Sequence, residues 1–151
     1  MIVSLARAVL SHIFSAPHFT RKSSTFPEVI SYLTRAIRLE NFLNSGPLTA
    51  EQKRQYLADI EETPARLRTA LRGLSNEQLN TPYRDGGWTL RQVAHHLADS
   101  HMNSYIRFKL ALTENEPTVK TYMENLWAEL PEAKHAPVEV SLALLDALHQ
   151  R

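Results

Sequence analysis

The 151-residue chain carries 17 basic and 16 acidic residues, 43% hydrophobic content and no cysteine. Near-balanced charge leaves no field to recruit nucleic acid or an anionic membrane, and the absence of thiols excludes disulfides and thiolate metal ligation, so histidine and carboxylate remain as metal ligands. No apolar run approaches the roughly 20 residues of a membrane-spanning helix. With only 4 glycines and no bounded runs of alternating apolar and polar residues, the composition argues against a β-rich fold, and the length suits one domain.

Residues 1–46 read as an N-terminal extension. Met1 to Pro27 contains no acidic residue, has Arg7, Arg21 and Lys22, and surrounds the apolar stretch Ile2–Phe14 with serines. This is the composition of a mitochondrial transit peptide, with a poorly ordered extension as the plainer alternative. Residues 1–46 hold 5 basic and 2 acidic residues, against 12 and 14 in residues 47–151, and that shift supports a boundary. Val29, Ile30, Leu33, Ile37 and Phe42 predict a short amphipathic helix within residues 28–43, broken by Asn44-Ser45-Gly46-Pro47. The expected location is cytoplasmic, or mitochondrial if residues 1–27 act in targeting.

Residues 47–151 read as the helical domain. Thr49 and Gln52 have capping-box spacing, and Tyr56, Ile60, Leu67, Leu71 and Leu74 follow at near-helical repeats. Pro64 lies inside this helix and predicts a kink near Asp59–Ile60, while Gly73 supplies a stop. Ser75 to Gln78 opens one short turn with Leu79 as its apolar contact. Tyr83, Arg84, Asp85 and Trp88 then occupy a tight aromatic loop, either as polar groups lining a site or as cover for the end of a bundle.

Thr89 and Gln92 repeat the capping-box spacing, and no Gly or Pro follows until after Asn115, so a helix is predicted from Leu90 to about Thr113, roughly 36 Å long. Leu90, Val93, Ala94, Leu97, His101, Phe108 and Leu112 share one face and form the expected core stripe. His96, Ser100, Asn103 and Arg107 form a polar row on its flank. His95 and Asp99 fall further round, where a surface pair is expected, with only one of the two adjacent histidines facing inward. The spacing i, i+1, i+6 cannot aim three imidazoles at one ion. Spacing alone therefore leaves His96 open between a satisfied boundary histidine and a ligand completed by other helices.

The run Thr81-Pro82-Tyr83-Arg84-Asp85-Gly86-Gly87-Trp88-Thr89, continued by Arg91-Gln92-Val93 and by His95 through Glu114, closely resembles the YfiT group of the DinB superfamily. The resemblance extends through Pro117-Thr118, Leu126 to Leu130 and Ser141 to Leu145 as far as Leu148-His149, and backward to about Leu48. It implies a helical bundle carrying a divalent metal, zinc or nickel, and a metal-dependent hydrolase acting on a small-molecule substrate; other members are linked to thiol transfer. It places the first metal ligand on His96 and assigns none to His95, Asp99 or His101. Arg107, Asn103 and Tyr83 are polar neighbours without an assigned catalytic role.

Thr121 and Glu124 are expected to cap a short helix through Trp127 and Leu130, and Val138, Leu142, Leu145 and Leu148 mark a further one. His135 and His149 are expected to be solvated. Thr121-Tyr122-Met123 departs from the Pro-Tyr-Asp usual at this point in the family. The family's other two ligands form an His-x-x-x-His pair on a fourth helix, which does not occur before Arg151. The expected architecture is thus all-α, an incomplete up-down bundle of the DinB/YfiT type, fourth helix absent, impaired as a hydrolase. The competing expectation is a non-catalytic remnant or interaction module, including a homodimer paired through an exposed apolar bundle face.

Overall fold

In the computed structural model the described residues are 48–83 and 86–151; the transit-like segment and the helix expected within residues 28–43 lie outside them, as do Arg84 and Asp85. Among the described residues six helices follow one another: α1 (Ala50–Leu71), α2 (Asn76–Leu79), α3 (Leu90–Thr113), α4 (Glu124–Ala128), α5 (Pro131–His135) and α6 (Val138–His149). There is no β-strand among the described residues, only an isolated bridge between Pro82 and Thr89. The all-helical expectation holds.

Local chemistry sets the first three starts. Thr49, Ser75 and Thr89 each accept a hydrogen bond from the backbone N–H three residues on, while Gln52, Gln78 and Gln92 reach back to the cap N–H, closing three reciprocal boxes. Each satisfies two otherwise unpaired donors and contributes on the order of 1 kcal/mol. α1 runs unbroken through Pro64, which is buried beside Thr63. It ends at Gly73, whose φ of +73° is a left-handed conformation that a side chain would strain.

α3 is the hub. It packs against α2, α4, α5 and α6, and α1 joins the core by lying against α6. Leu67 and Leu71 of α1, Leu79 of α2, Leu90, Val93, Ala94, Leu97 and Ala98 of α3, and Val138, Leu142 and Leu145 of α6 form one buried cluster, against which Tyr83 and Trp88 are partly buried. An ion pair between Arg68 and Asp146 ties α1 to α6 at the surface. No helix among the described residues is long and apolar enough to cross a membrane.

Three expectations are corrected. Met123, not Thr121, is the N-cap of α4, and no side chain caps it. The Pro131–His135 stretch, for which no helix is predicted, forms α5, because Pro131 sits in the first helical turn where its missing N–H removes no bond. The apolar stripe of α3 is buried only in its first half: Leu112, predicted inward, is 71% exposed, because no described element covers that end of the helix.

Candidate metal centre

Trp88 precedes α3 by two residues. Its carbonyl accepts the Tyr83 N–H at 3.0 Å, and the Leu90 N–H donates to the Thr81 carbonyl at 3.2 Å, so the backbone on both sides of the indole is pinned. Gln92 adds a second anchor: its Oε1 accepts the Thr89 N–H at 2.9 Å and its Nε2 donates to the Ala128 carbonyl at 2.7 Å. The indole lies against His96, with ring centroids 4.7 Å apart and planes inclined by 59°.

His96 is 5% exposed, and its Nε2 has no hydrogen-bond partner among the described residues. Burial holds the imidazole well below its ordinary range, at about 4, so the ring is neutral at physiological pH. A buried, neutral imidazole nitrogen without a partner is costly as a purely structural feature, and it is the donor that a divalent cation requires. That observation fits His96 to a metal. Among the described residues, however, no three histidine or carboxylate side chains converge closely enough to hold one ion.

His95 corrects the expectation of a solvent-facing partner for Asp99. It is as buried as His96, its Nδ1 lying 2.7 Å from Ser141 Oγ and its Nε2 3.2 Å from the Ala136 carbonyl. A carbonyl only accepts, and burial lowers the pKa of the ring, so Nε2 carries the proton and Nδ1 accepts the Ser141 hydroxyl. Both adjacent histidines face inward because α5 and the start of α6 fold over the side of α3 that its sequence marks as outer. Asp99, left half-buried near Glu132, has its carboxyl raised to about 6, first by burial and then by that neighbouring acid.

The remaining histidines separate. His101 Nδ1 meets His149 Nε2 at 2.7 Å, linking α3 to α6, so His149 is not the solvated terminal residue that was expected. His135 is exposed, as expected. Of the polar row, Ser100 is buried and Asn103 and Arg107 half-buried. Arg107 donates to the Lys120 carbonyl at 3.3 Å, and Asn103 donates to the Asp99 carbonyl at 2.8 Å within its own helix.

Two features escaped the sequence reading. Arg91, 5% exposed, donates to Asn80 Oδ1, Asn76 Oδ1 and the Ala136 carbonyl at 3.0, 2.8 and 2.8 Å, joining α2 to the segment before α6. Half-buried Tyr122 has its hydroxyl near Ser100, one helical turn beyond His96. Burial, reinforced by Glu124 and Asp99, keeps that phenol protonated. The only sequence signal for Arg91 is its place in the first turn of a helix, where a cation opposes the dipole and needs a reason to be there.

Known proteins resemble this chain in sequence and fold. The DinB superfamily model (DinB_2) matches residues 59–151. Relatives from Bacillus cereus strains B4264 and G9842, each named "putative metal-dependent hydrolase", are 56% identical over 110 residues, covering 73% of this chain and 63% of theirs. A solved structure, described as "YfiT from Bacillus subtilis is a probable metal-dependent hydrolase with an unusual four-helix bundle topology", superposes with a TM-score of 0.65 at 54% identity, covering 71% of this chain and 61% of that one. The chain thus spans less than two thirds of the length of these relatives.

Proposed function

This chain belongs to the DinB superfamily, and from that premise we propose that it is a metal-dependent hydrolase of a small-molecule substrate in which His96 Nε2 is a metal ligand. The observation that carries the reading is the buried, neutral Nε2 left without a hydrogen-bond partner in a core where neighbouring Arg91, Gln92 and His95 all have theirs. Zinc or nickel suits a site built on imidazole. When bound, such an ion supplies Lewis-acid polarisation and activates water.

The protein's own residues hold the nitrogen in a dry environment. α3 carries it on a rigid element, and Trp88 and the surrounding core exclude solvent, which strengthens any charge interaction made there. Ser100 and Tyr122 continue the same flank with hydroxyl groups that can orient a polar substrate atom. The test is equilibrium dialysis of the 151-residue chain against zinc and against nickel. His96→Ala is expected to weaken binding at least tenfold, with the helical circular dichroism unchanged. Equal affinity in the two proteins, or no binding by the parent, overturns the proposal.

A second reading, an interaction module that pairs as a homodimer, is favoured by Leu57, Leu112, Leu126 and Val140, which are 58–71% exposed. A monomer by light scattering at high micromolar concentration would sink it.

A further inference from the structure

A metal-binding histidine is ordinarily fixed by a hydrogen bond from its second ring nitrogen to a carboxylate or carbonyl, which sets both tautomer and ring angle. His95 is held in this manner, by Ser141 and the Ala136 carbonyl. Among the described residues no hydrogen bond reaches the His96 ring; its ring contact there is the indole of Trp88, at 4.7 Å between centroids and 59° between planes. The indole is itself immobilised. Trp88 occupies the position just before the N-cap, its carbonyl receives the Tyr83 N–H, and the bridge between Pro82 and Thr89 closes the loop around it. Gln92 bonds both the cap and the Ala128 carbonyl, so the loop, the start of α3 and α4 are held as one body.

A residue at this position ordinarily staples the face of the first turn, and His96 lies one turn further along that face from Val93. An aromatic ring packed at a tilt against an imidazole restricts its rotation without consuming a lone pair. We propose that Trp88 is the positioning residue for His96, setting the imidazole by ring contact in place of the usual hydrogen bond so that Nε2 stays bare and aimed for a divalent cation. This rests on His96 as a metal ligand, and the rotamer part of the test is independent of that reading.

Two measurements on the full chain decide it. Without metal, three-bond couplings across His96 χ1, read by NMR, are expected to report one rotamer in the parent and in Trp88→Phe, and averaging in Trp88→Ala. With nickel alone as the probe, Trp88→Ala is expected to lose about tenfold or more in affinity, the usual cost of removing an outer-shell partner, while Trp88→Phe stays within about threefold. Leu79→Ala, a core truncation with no contact assigned to His96, controls for general loosening and is expected to keep both the rotamer and the affinity. A single His96 rotamer in Trp88→Ala overturns the proposal whatever the metal does, and so does an equal nickel loss in Leu79→Ala. No nickel binding by the parent sinks the ligand reading of His96, while the metal-free couplings still decide what Trp88 does to the ring.

Discussion

From Leu90 to Ala98 every residue of α3 is buried, whereas beyond Ser104 the same helix turns Ile106 and Leu112 to solvent at 49% and 71% exposure. The two halves share one backbone and one hydrophobic period. They differ in what surrounds them: α2, α4, α5, α6 and the Trp88 loop enclose the first half, and no described element encloses the second. A helix wrapped on every side must pair each polar group it carries, and the first half does so for Arg91, Gln92 and His95. Among the described residues His96 Nε2 is the exception, a buried polar atom without a hydrogen-bond partner in a core whose other polar groups are paired.

The contrast can be broken most strongly by truncating one leucine from each environment. Leu145, fully buried against α3, is expected to cost about 3 kcal/mol as Leu145→Ala, while Leu112→Ala stays within about 0.5 kcal/mol, both by urea denaturation. Comparable losses would mean that the exposed half is covered in solution.

A finer separation lies between the adjacent histidines. His95→Ala removes the partner of Ser141 and of the Ala136 carbonyl and is expected to destabilise by about 1–2 kcal/mol. His96→Leu removes a polar atom that has no partner and is expected to be neutral or to stabilise by up to about 1 kcal/mol in metal-free protein. If His96→Leu is as damaging as His95→Ala, Nε2 is not bare.

The smallest effect concerns His101, at the junction of the two halves. Burial, then the nearby His149 and His96 rings, push its pKa down from 6.5 to about 4. The unfolded chain therefore takes up this proton first as pH falls, and stability that is complete above pH 6.5 declines between 6.5 and about 4. One such group contributes at most about 1.4 kcal/mol per pH unit, and His101→Asn should flatten the slope of urea midpoints across that window. A slope unchanged by the substitution would assign the acid sensitivity to other groups.

Much of the framework was legible beforehand because its signals are local. Thr89 and Gln92 fix the start of α3 by a reciprocal bond between residues three apart, Gly73 stops α1 with a backbone conformation few other residues adopt, and Val138, Leu142 and Leu145 face inward in α6 as their period requires. His96 was singled out from family resemblance and from its flank position together; spacing alone left it ambiguous.

Periodicity could not foresee His95, Arg91 or His149. Their partners stand 41 and 46 residues away for His95, up to 45 for Arg91 and 48 for the His101–His149 pair. Such distances are closed only when the segment from Glu124 onward folds back over α3. The sequence by itself determined that these residues form helices, where three of them begin, and which apolar stripe is available for burial, because caps and periods act within a few residues. Tertiary structure decided which part of α3 is enclosed and hence which polar groups gain partners. It also decided that one imidazole nitrogen beside Trp88 does not, since desolvation depends on neighbours that no local pattern specifies.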